Sequence, residues 1–463
     1  MTARPKQRRT KEAKARREKN PASVSPARAA AFNILRRVDD EGAYASVLLA
    51  AASEEMRAED RSLCYELVMG SLRRQLWLDC LIGHYAGRPA ESLDPPVRRA
   101  LRLGLYQLRF LTRIPASAVV NESVNLAYTA RVRSAAAFIN AVMRRATREP
   151  DYNPAILITD SLKRISIETS HPSWLIERWA NAFGLDEAEA FARANNETPP
   201  VAFRLAGAHV DEAEVLEKLS SAGASMTASL IAQGAWRVAG ASAKLRELAQ
   251  DGLVYIQDEA SQLVAHAVEA ESGERVLDAC AAPGSKSTHV AGLNPGLTLL
   301  VAGDVHEHRL RFVREACARL TVNPARLVAY DATRSLPFVE GAFDRVLVDA
   351  PCTGTGTLRR NPEIRWRISP SDVRELAARQ QQILKNAAPM VKRGGRLIYS
   401  TCSVEPEENE RVVAAFLRGN EEFGAARLRV PLRLQNEAGT GARMWPQRDG
   451  ADGFFIAAFE RRH

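Results

Sequence analysis

The stretch FDRVLVDAPCTGTG, residues 343–356, decides how this chain is read. Arg345 to Val348 is a short apolar, β-branched run; it ends on Asp349, a proline and a thiol at Cys352, and a glycine-rich turn follows. Such a run is expected as a buried parallel strand whose carboxyl end delivers a carboxylate and a sulfur into a cleft. The pattern recurs fifty residues on, where Arg396 to Ser400 is a second strand-like run closed by Thr401, Cys402 and Ser403. Between them, PSDVRELAARQQQILKNAAPMVKRGG has a helical period, with Val373, Leu376, Ala377, Leu384, Ala387, Ala388 and Val391 on one face and Gly394-Gly395 as its stop. Strand, helix and strand in that order predict a right-handed crossover with the two strands parallel and adjacent. Adjacent strands lie ~4.8 Å apart, so Cys352 and Cys402 should overlook one ligand at the edge where open α/β sheets bind theirs.

A third segment completes such a site. ERVLDACAAPGSKSTHVAGL, residues 274–293, reads strand, tight turn, helix, with Pro283-Gly284-Ser285 making the turn. Backbone N–H groups at a turn and helix start of this kind favour a carboxylate or phosphate. Neither GxxxxGK nor GxGxxG is present, which excludes a P-loop and the usual dinucleotide fingerprint. Asp304 follows Gly284 by 20 residues at the end of the apolar run Leu299 to Ala302, a distance at which an acidic group hydrogen-bonds a ribose. Asp331 ends a third run that begins near Leu327 and could reach an adenine amino group. Asp304, Asp331 and Asp349, ending successive strands after one glycine turn, fit an adenosine with an amino-acid tail.

A chain of 463 residues suggests about three domains, and 46% hydrophobic with 26% charged residues describes an ordinary globular protein. No apolar stretch approaches the ~20 residues that span a bilayer, and no hydrophobic segment follows the charged N-terminus as in a secretory signal. A cytoplasmic protein is expected. The six cysteines (Cys64, Cys80, Cys280, Cys317, Cys352, Cys402) include no CxxC pair, so free thiols and no metal are expected. His306 and His308, flanking Glu307, read as a solvated helix start.

Charge is unevenly spread. Residues 1–20 hold nine Lys and Arg against two Glu, so +7 of the formal +9 belongs to a tail. Residues 1–24 are therefore expected as a basic disordered extension able to neutralise phosphates without regard to sequence. From Pro26 to about Thr147 the period is helical almost throughout, with Val97, Leu101, Leu105, Leu108 and Leu111 after Pro95-Pro96 as the clearest case. Arg98, Arg99, Arg102, Arg109, Arg113, Arg131, Arg133, Arg144, Arg145 and Arg148 cluster there. The block PPVRRALRLGLYQLRFLTRIPASAVVNESVNLA, with FINAVMRR after it, resembles NusB-like RNA-binding domains over residues 25–148.

Residues 149–170 read as a linker, and 171–250 as a small α+β subdomain. Within the latter, one helix begins at His171-Pro172-Ser173 and runs to near Gly184, and a second runs from Asp186 to Asn195. A strand at 201–205, a helix from Asp211, and strands near 228–231 and 236–238 follow. By position this subdomain is expected to form one wall of the cleft. Asp258 to Gln262 read as the cap of the helix that opens the domain 251–463, and Phe454 to Phe459 as a closing strand.

DACAAPGSKS, GDVHEHRL, YDATR, FDRVLVDAPCTGTGTLRRNPEIRW and GGRLIYSTCSVEPEENE resemble, in order and spacing, the S-adenosylmethionine-dependent RNA cytosine-C5 methyltransferases of the NOL/NOP2/Sun group. With the NusB-like region in front, the resemblance narrows to the RsmB (Sun/Fmu) family acting on 16S ribosomal RNA. It implies a multidomain chain: an N-terminal all-α NusB-like domain, a small α+β subdomain and a C-terminal α/β Rossmann-like methyltransferase domain. It also implies Cys402 as nucleophile toward carbon 6 of cytosine and Cys352 as the group that helps release the product. Were Cys402 absent, Cys352 would take the nucleophile's place, as the Pro-Cys cysteine does in DNA cytosine methyltransferases.

Asp349 is expected to meet either the cofactor's amino group or the cytosine's polar edge, and Lys286 to favour the thiolate. The cofactor would be S-adenosylmethionine, held by Cys280, Ala281, Ala282, Pro283, Gly284, Ser285, Lys286, Asp304, Asp331 and Asp349. Ser285 stands where the group often has a second glycine, a change that matters only if the position needs positive φ. Glu407 and Glu408 are read as serving the first turn of the next helix, with Pro406 at its start and Glu405 nearby. Arg359, Arg360, Arg365 and Arg367 around Trp366 would suit phosphates and a base face.

Small-subunit ribosomal RNA would be the partner, with a single chain as working unit and no membrane. The same chemistry on transfer or large-subunit RNA, or a non-catalytic RNA-binding assembly factor, are the other readings; intact Cys352, Cys402 and the three aspartates speak against the last. Deleting residues 1–20 should weaken RNA binding and flatten its salt dependence, measured as the slope of log affinity against log salt; an unchanged slope would make the tail irrelevant to binding.

Overall fold

A computed structural model describes residues 24–52, 56–322, 326–435 and 441–462; the basic run of residues 1–20 lies outside the described residues. The described residues form two compact units, one from residues 24–71 and 78–154 and the other from residues 72–77 and 155–462.

The first unit is helical: α1 (Pro26–Glu41), α2 (Ala45–Ala52), α3 (Ala58–Arg73), α4 (Gln75–Ala86), α5 (Pro95–Phe110), α6 (Ala116–Thr129) and α7 (Ala136–Arg148). Prolines at the first two positions of α5 supply a helical φ where no N–H partner is needed. That helix buries Val97, Leu101 and Leu105, while α7 buries Ile139, Val142, Met143 and Ala146 at helical spacing. Gly104 lies where they meet, since a Cβ there would collide with Ser123 Oγ and Met143 Cε.

Nine of the ten clustered arginines divide into two classes, and Arg98 is half-buried. Arg99 is buried and donates to Asp39 and Asp40, and Arg102 is buried in a two-bond pair with Asp79, 2.7 Å for each bond. Arg109 and Arg145 donate to groups near the end of α4, including Tyr85 Oη and the His84 carbonyl. These four hold helices together. Arg113, Arg131, Arg133, Arg144 and Arg148 are exposed.

In the second unit the stretch read as a linker carries α8 (Ser161–Thr169), whose start Asp160 caps by accepting from Lys163 N. Its apolar period is too short to announce itself; the cap and the burial of Ile165 make the helix. Next come α9 (Ser173–Phe183) and α10 (Leu185–Ala194), then β1 (Val201–Leu205), α11 (Glu212–Ser221), β2 (Ser225–Ala228), β3 (Ala235–Ala239), α12 (Ser242–Gln250) and β4 (Val254–Ile256). These strands make an antiparallel sheet in the order β2-β3-β1-β4. The strand expected near 228–231 ends at Ala228, because the Ser229 hydroxyl accepts from the N–H groups of Ile231 and Ala232 and turns the chain.

The main sheet uses β5 (Arg275–Asp278), β6 (Leu299–Asp304), β7 (Arg326–Ala329), β8 (Phe343–Asp349), β9 (Val391–Thr401), β10 (Phe423–Ala425), β11 (Ala442–Met444) and β12 (Phe454–Arg461). Its order is β10-β12-β9-β8-β5-β6-β7, with β11 beside β12. The strands β7, β6, β5, β8 and β9 are parallel, and β12 runs antiparallel against β9. Helices α13 (Glu259–Val268), α14 (Ser285–Leu293) and α15 (Glu307–Arg319) help cover it, as do α17 (Pro370–Ala387) and α18 (Glu410–Gly419), leaving a core on each face. The short helices α16 (Ile364–Arg367) and α19 (Pro446–Asp449) complete the unit.

The expected crossover from β8 through α17 to β9 is present, but Gly394-Gly395 does not stop the helix. A 3-10 turn at Ala388–Met390 ends it, and the glycines sit inside β9, where Gly394 takes φ +71° and the pairing with β8 shifts register between Phe343 and Arg345.

Three arginines expected to face phosphates are structural. Arg365 is fully buried: Nη1 donates to the carbonyls of Thr169 and Ser170 and to Asn196 Oδ1, and Nη2 to the Asn195 carbonyl. It thereby satisfies the ends of α8 and α10, whose last carbonyls have no intrahelical donors. Arg359 and Arg360 share Asp452, and Arg360 also reaches Asp258, at 2.6–2.8 Å. Arg367 alone of the four is exposed. Arg365→Ala should therefore lower thermal stability, by about 1–3 kcal/mol for each carbonyl left bare, and leave the salt slope of RNA binding unchanged. A flattened slope at unchanged melting temperature would restore the phosphate role.

Candidate active site

The carboxyl ends of β5, β6, β8 and β9 assemble the site. β5 leaves the sheet at Asp278 and turns back at Gly284, whose N–H donates to the Ala281 carbonyl at 2.7 Å. Gly284 takes φ +102°, and a Cβ there would press on Val313 at 3.0 Å. Ser285 opens α14 and is not among the positive-φ positions, so the serine costs nothing. The first N–H groups of α14, unpaired within the helix by geometry, border this loop.

Next to β5 lies β8, and beyond it β9, paired in parallel so that Asp349 stands opposite Ser400. Ser400 Oγ donates to Asp349 Oδ1 at 2.7 Å, and Lys286 Nζ from the start of α14 meets Asp349 Oδ2 at 2.7 Å. Burial works against the Lys286 charge, but Asp349 first, then Cys402 and Asp278, hold its pKa above the usual lysine value. Beyond the paired residues each chain turns out of the sheet, and the Sγ atoms of Cys352 and Cys402 come to 3.2 Å. The expectation that both sulfurs overlook one place is met. The hydrogen bond to Cys402 and burial push the Cys352 thiol well above its usual range.

Backbone contacts make this approach possible. Gly356 N donates to the Cys402 carbonyl at 2.9 Å, and a Cβ on Gly356 would collide with the Gly453 carbonyl at the entrance to β12.

The other named residues divide. Asp304 is buried at the end of β6, its oxygens accepting from the N–H groups of Ala282 and His306, which ties it to the glycine loop. Asp331, past the end of β7, accepts from Thr333 N and Oγ1, bonds that hold its carboxyl below the usual range. Its carboxylate lies in none of the contacts that join Lys286, Asp349 and the cysteines. Burial pushes the Cys280 thiol well up. His306 and His308 are exposed at the start of α15, as read.

Glu407 and Glu408 do not serve a helix start. Residues 406–409 are a turn, and α18 begins at Glu410. Arg178 of α9 pairs with both Glu405 and Glu407, while Trp179 Nε1 donates to Glu405 at 3.0 Å. Glu408 is buried beside the cysteines, accepting from Thr353 N at 3.0 Å and Gln380 Nε2 at 2.9 Å. Chain distance misled here because the partners come from α9 and α17.

Asp278 was missed. It ends β5 as Asp349 ends β8, so the same pattern, an apolar run closed by aspartate, would have found it. Ser287 Oγ donates to its Oδ2 at 2.6 Å, Oδ1 has no protein partner, and burial raises its pKa to about 7. Arg204 of β1 was also missed: it is buried, and its Nη2 donates to the Ser285 carbonyl and to Thr288 Oγ1. Through it the small subdomain reaches the start of α14.

This set fits a cofactor with a ribose and an amino-acid tail. Buried carboxylates (Asp278, with a bare oxygen, and Asp304) can accept from an ammonium and hydroxyls, and helix N–H groups can receive a carboxylate. Among the described residues no group of three or more His, Cys, Asp or Glu could hold a metal ion, and no helix is long and apolar enough to cross a membrane.

Family models match this chain in three places: 16S rRNA methyltransferase RsmB/F over residues 265–460, the NusB family over 25–148, and the RsmF/B-like ferredoxin-like domain over 171–244. A probable ribosomal RNA small subunit methyltransferase B of Bacillus subtilis (strain 168) is 35% identical over 441 residues, covering 93% of this chain and 98% of its own. Among solved structures, the crystal structure of PH0851 superposes with a TM-score of 0.83 at 26% identity, over 95% of this chain and 100% of that one. NSun6 from Pyrococcus horikoshii, solved with SFG, shares the fold at 20% identity and a TM-score of 0.58, over 63% of this chain and 98% of its own. With a close likeness running through both the helical unit and the sheet that carries the two sulfurs, the chain belongs to the RsmB/F family of S-adenosylmethionine-dependent 16S ribosomal RNA methyltransferases.

Proposed function

We propose that the chain methylates carbon 5 of a specific cytosine in small-subunit ribosomal RNA through a covalent adduct between Cys402 and carbon 6. The observation that carries this reading is the pair of sulfurs, 3.2 Å apart, beside the Lys286–Asp349 ion pair at the cofactor edge of the sheet.

Carbon 5 of cytosine is too weak a nucleophile to take a methyl group unaided. Addition of the Cys402 thiolate to carbon 6 forms a C–S bond and turns the ring into an enamine whose carbon 5 is electron-rich. Bound S-adenosylmethionine supplies an electrophilic methyl group. The carbon 5 proton then passes to a base, the Cys352 sulfur as thiolate or a water, its C–H electron pair forms the C5=C6 bond, and the C–S bond breaks to return the aromatic ring and free Cys402 as its thiolate.

Lys286 places a cation beside the thiolate, and Asp349 orients Lys286 while offering an acceptor to the cofactor's ammonium or the cytosine amino group. The loop of residues 280–286, with Asp278 and Asp304, would hold the cofactor; Asp331 would meet the adenine. The target base must leave its stack, which costs a few kcal/mol in a duplex and less in a loop, so a single-stranded loop is the natural substrate. Exposed Arg113, Arg131, Arg133, Arg144 and Arg148 of the helical unit supply phosphate contacts.

On unmodified small-subunit RNA, the wild-type protein should leave one cytosine resistant to bisulfite conversion, and Cys402→Ala should leave none; equal resistance with both proteins would remove the mechanism. Cys352→Ala with Cys402 intact should form the adduct and fail to resolve it, giving a slowed protein–RNA band on a denaturing gel. Free turnover with no such band would count against the release role.

A further inference from the structure

Resting on the reading of Cys402 and Cys352 as the reacting pair, we propose that Glu408 is its positioning residue: one buried carboxylate ties the turn after Cys352 to the turn after Cys402 and so sets the distance between the sulfurs.

Glu408 is fully buried, and its four hydrogen bonds come from three sources. Thr353, the residue after Cys352, donates twice, from N at 3.0 Å to Oε1 and from Oγ1 at 2.5 Å to Oε2. Ser403, the residue after Cys402, donates from Oγ to Oε2. Gln380 of α17 donates from Nε2 to Oε1 at 2.9 Å and, from the same nitrogen, to the Pro351 carbonyl at 2.9 Å. The frame is itself braced: the single Tyr399 hydroxyl proton faces the Glu408 carbonyl at 2.5 Å, with Gln380 Oε1 at 3.1 Å from the same oxygen. Each side chain that bonds in this network is buried, and none has a place in the chemistry proposed for the cysteines.

A carboxylate is suited to the task because it is an acceptor on both oxygens, and both cysteine turns present donors. Burial pushes the Glu408 carboxyl up while its donors pull it back, so the network and the charge sustain one another. The turns are also tied by the main-chain bond from Gly356 N to the Cys402 carbonyl, four residues past Cys352, by Val404 N donating to Thr355 Oγ1 at 3.1 Å, and by the Thr353 and Ser403 hydroxyls at 3.1 Å, both of which the Glu408 carboxylate holds. Glu408 grips the residue next to each sulfur. Its charge also acts on Cys352, raising that thiol.

The spacing can be read without methylation. Diamide takes two electrons and two protons from a pair of thiols, joining the sulfurs and leaving a hydrazine. The rate at which Cys352 and Cys402 are captured as a disulfide, followed by intact mass and peptide mapping, therefore reports their proximity in the whole protein. Wild type should be captured rapidly. Glu408→Ala should slow capture at least about tenfold and lower kcat about tenfold to a hundredfold, with KM for RNA and affinity for S-adenosylhomocysteine within about twofold of wild type. Glu408→Gln, which keeps the shape and can bond to both turns once the hydroxyls rotate, should restore most of both rates.

Capture and kcat at wild-type values in Glu408→Ala would overturn the proposal, as would loss of kcat with capture intact. If Glu408→Ala does not fold, Ser403→Ala removes only the arm from the Cys402 turn; wild-type capture in that variant overturns the proposal equally. Failure of wild-type protein to methylate cytosine would strike the functional reading and leave the capture result standing on its own.

Discussion

Asp349 lies opposite Ser400 in the parallel pairing of β8 with β9, and from that register the site follows. Three residues beyond Asp349 and two beyond Ser400, the chain has turned out of the sheet far enough to bring two sulfurs to 3.2 Å. A slip of one residue along either strand would turn Asp349 or Ser400 to the opposite face and separate them. The register is held from both sides: β5 pairs with β8 and β12 with β9, so neither cysteine-bearing strand is an edge. Glycine pays its part in the turns, where Gly356 and Gly453 meet backbone to backbone.

Around this pair the structure gathers charges that would be costly alone. Lys286, Asp349 and Glu408 all sit in or near the core, and each has an opposite charge or several donors; Asp278, held by Ser287 alone, has its pKa raised to about 7 by burial. Unpaired, a buried charge of this kind is destabilising by several kcal/mol, which explains why hydroxyl and amide side chains (Ser287, Ser400, Thr353, Ser403, Gln380) crowd the same strand ends. The arrangement separates two duties. The end of β5 and the start of α14 would form the cofactor edge under the proposed function, and the turns after β8 and β9 carry the sulfurs. Lys286 belongs to the first by position and to the second by contact.

The sequence was most legible where a short local pattern fixes a strand and its end. VLVD followed by a Pro-Cys turn, and LIYS followed by Thr-Cys, each announce a buried strand and a functional group at its tip, and the parallel pairing followed from the helix between them. Local reading failed where the partner is remote. Gly394-Gly395 looks like a helix stop and is a strand irregularity; α8 is a helix because Asp160 caps it and Ile165 is covered. The arginines show the limit most clearly. Residue type cannot separate Arg365, spent on four buried acceptors, from Arg367, two places on and exposed. Glu408 is the same case with the opposite sign, since its importance arises from Thr353, some fifty residues earlier.

The central claim is that a sulfur of this pair, specifically that of Cys402, bonds to the base. The most direct measurement is to trap the protein on small-subunit RNA containing 5-fluorocytidine, whose fluorine cannot leave as the carbon 5 proton does, and to map the attachment by peptide mass spectrometry. The account predicts one nucleotide joined to the peptide carrying Cys402. Attachment through Cys352, or no covalent complex under conditions where the protein methylates ordinary RNA, would contradict it.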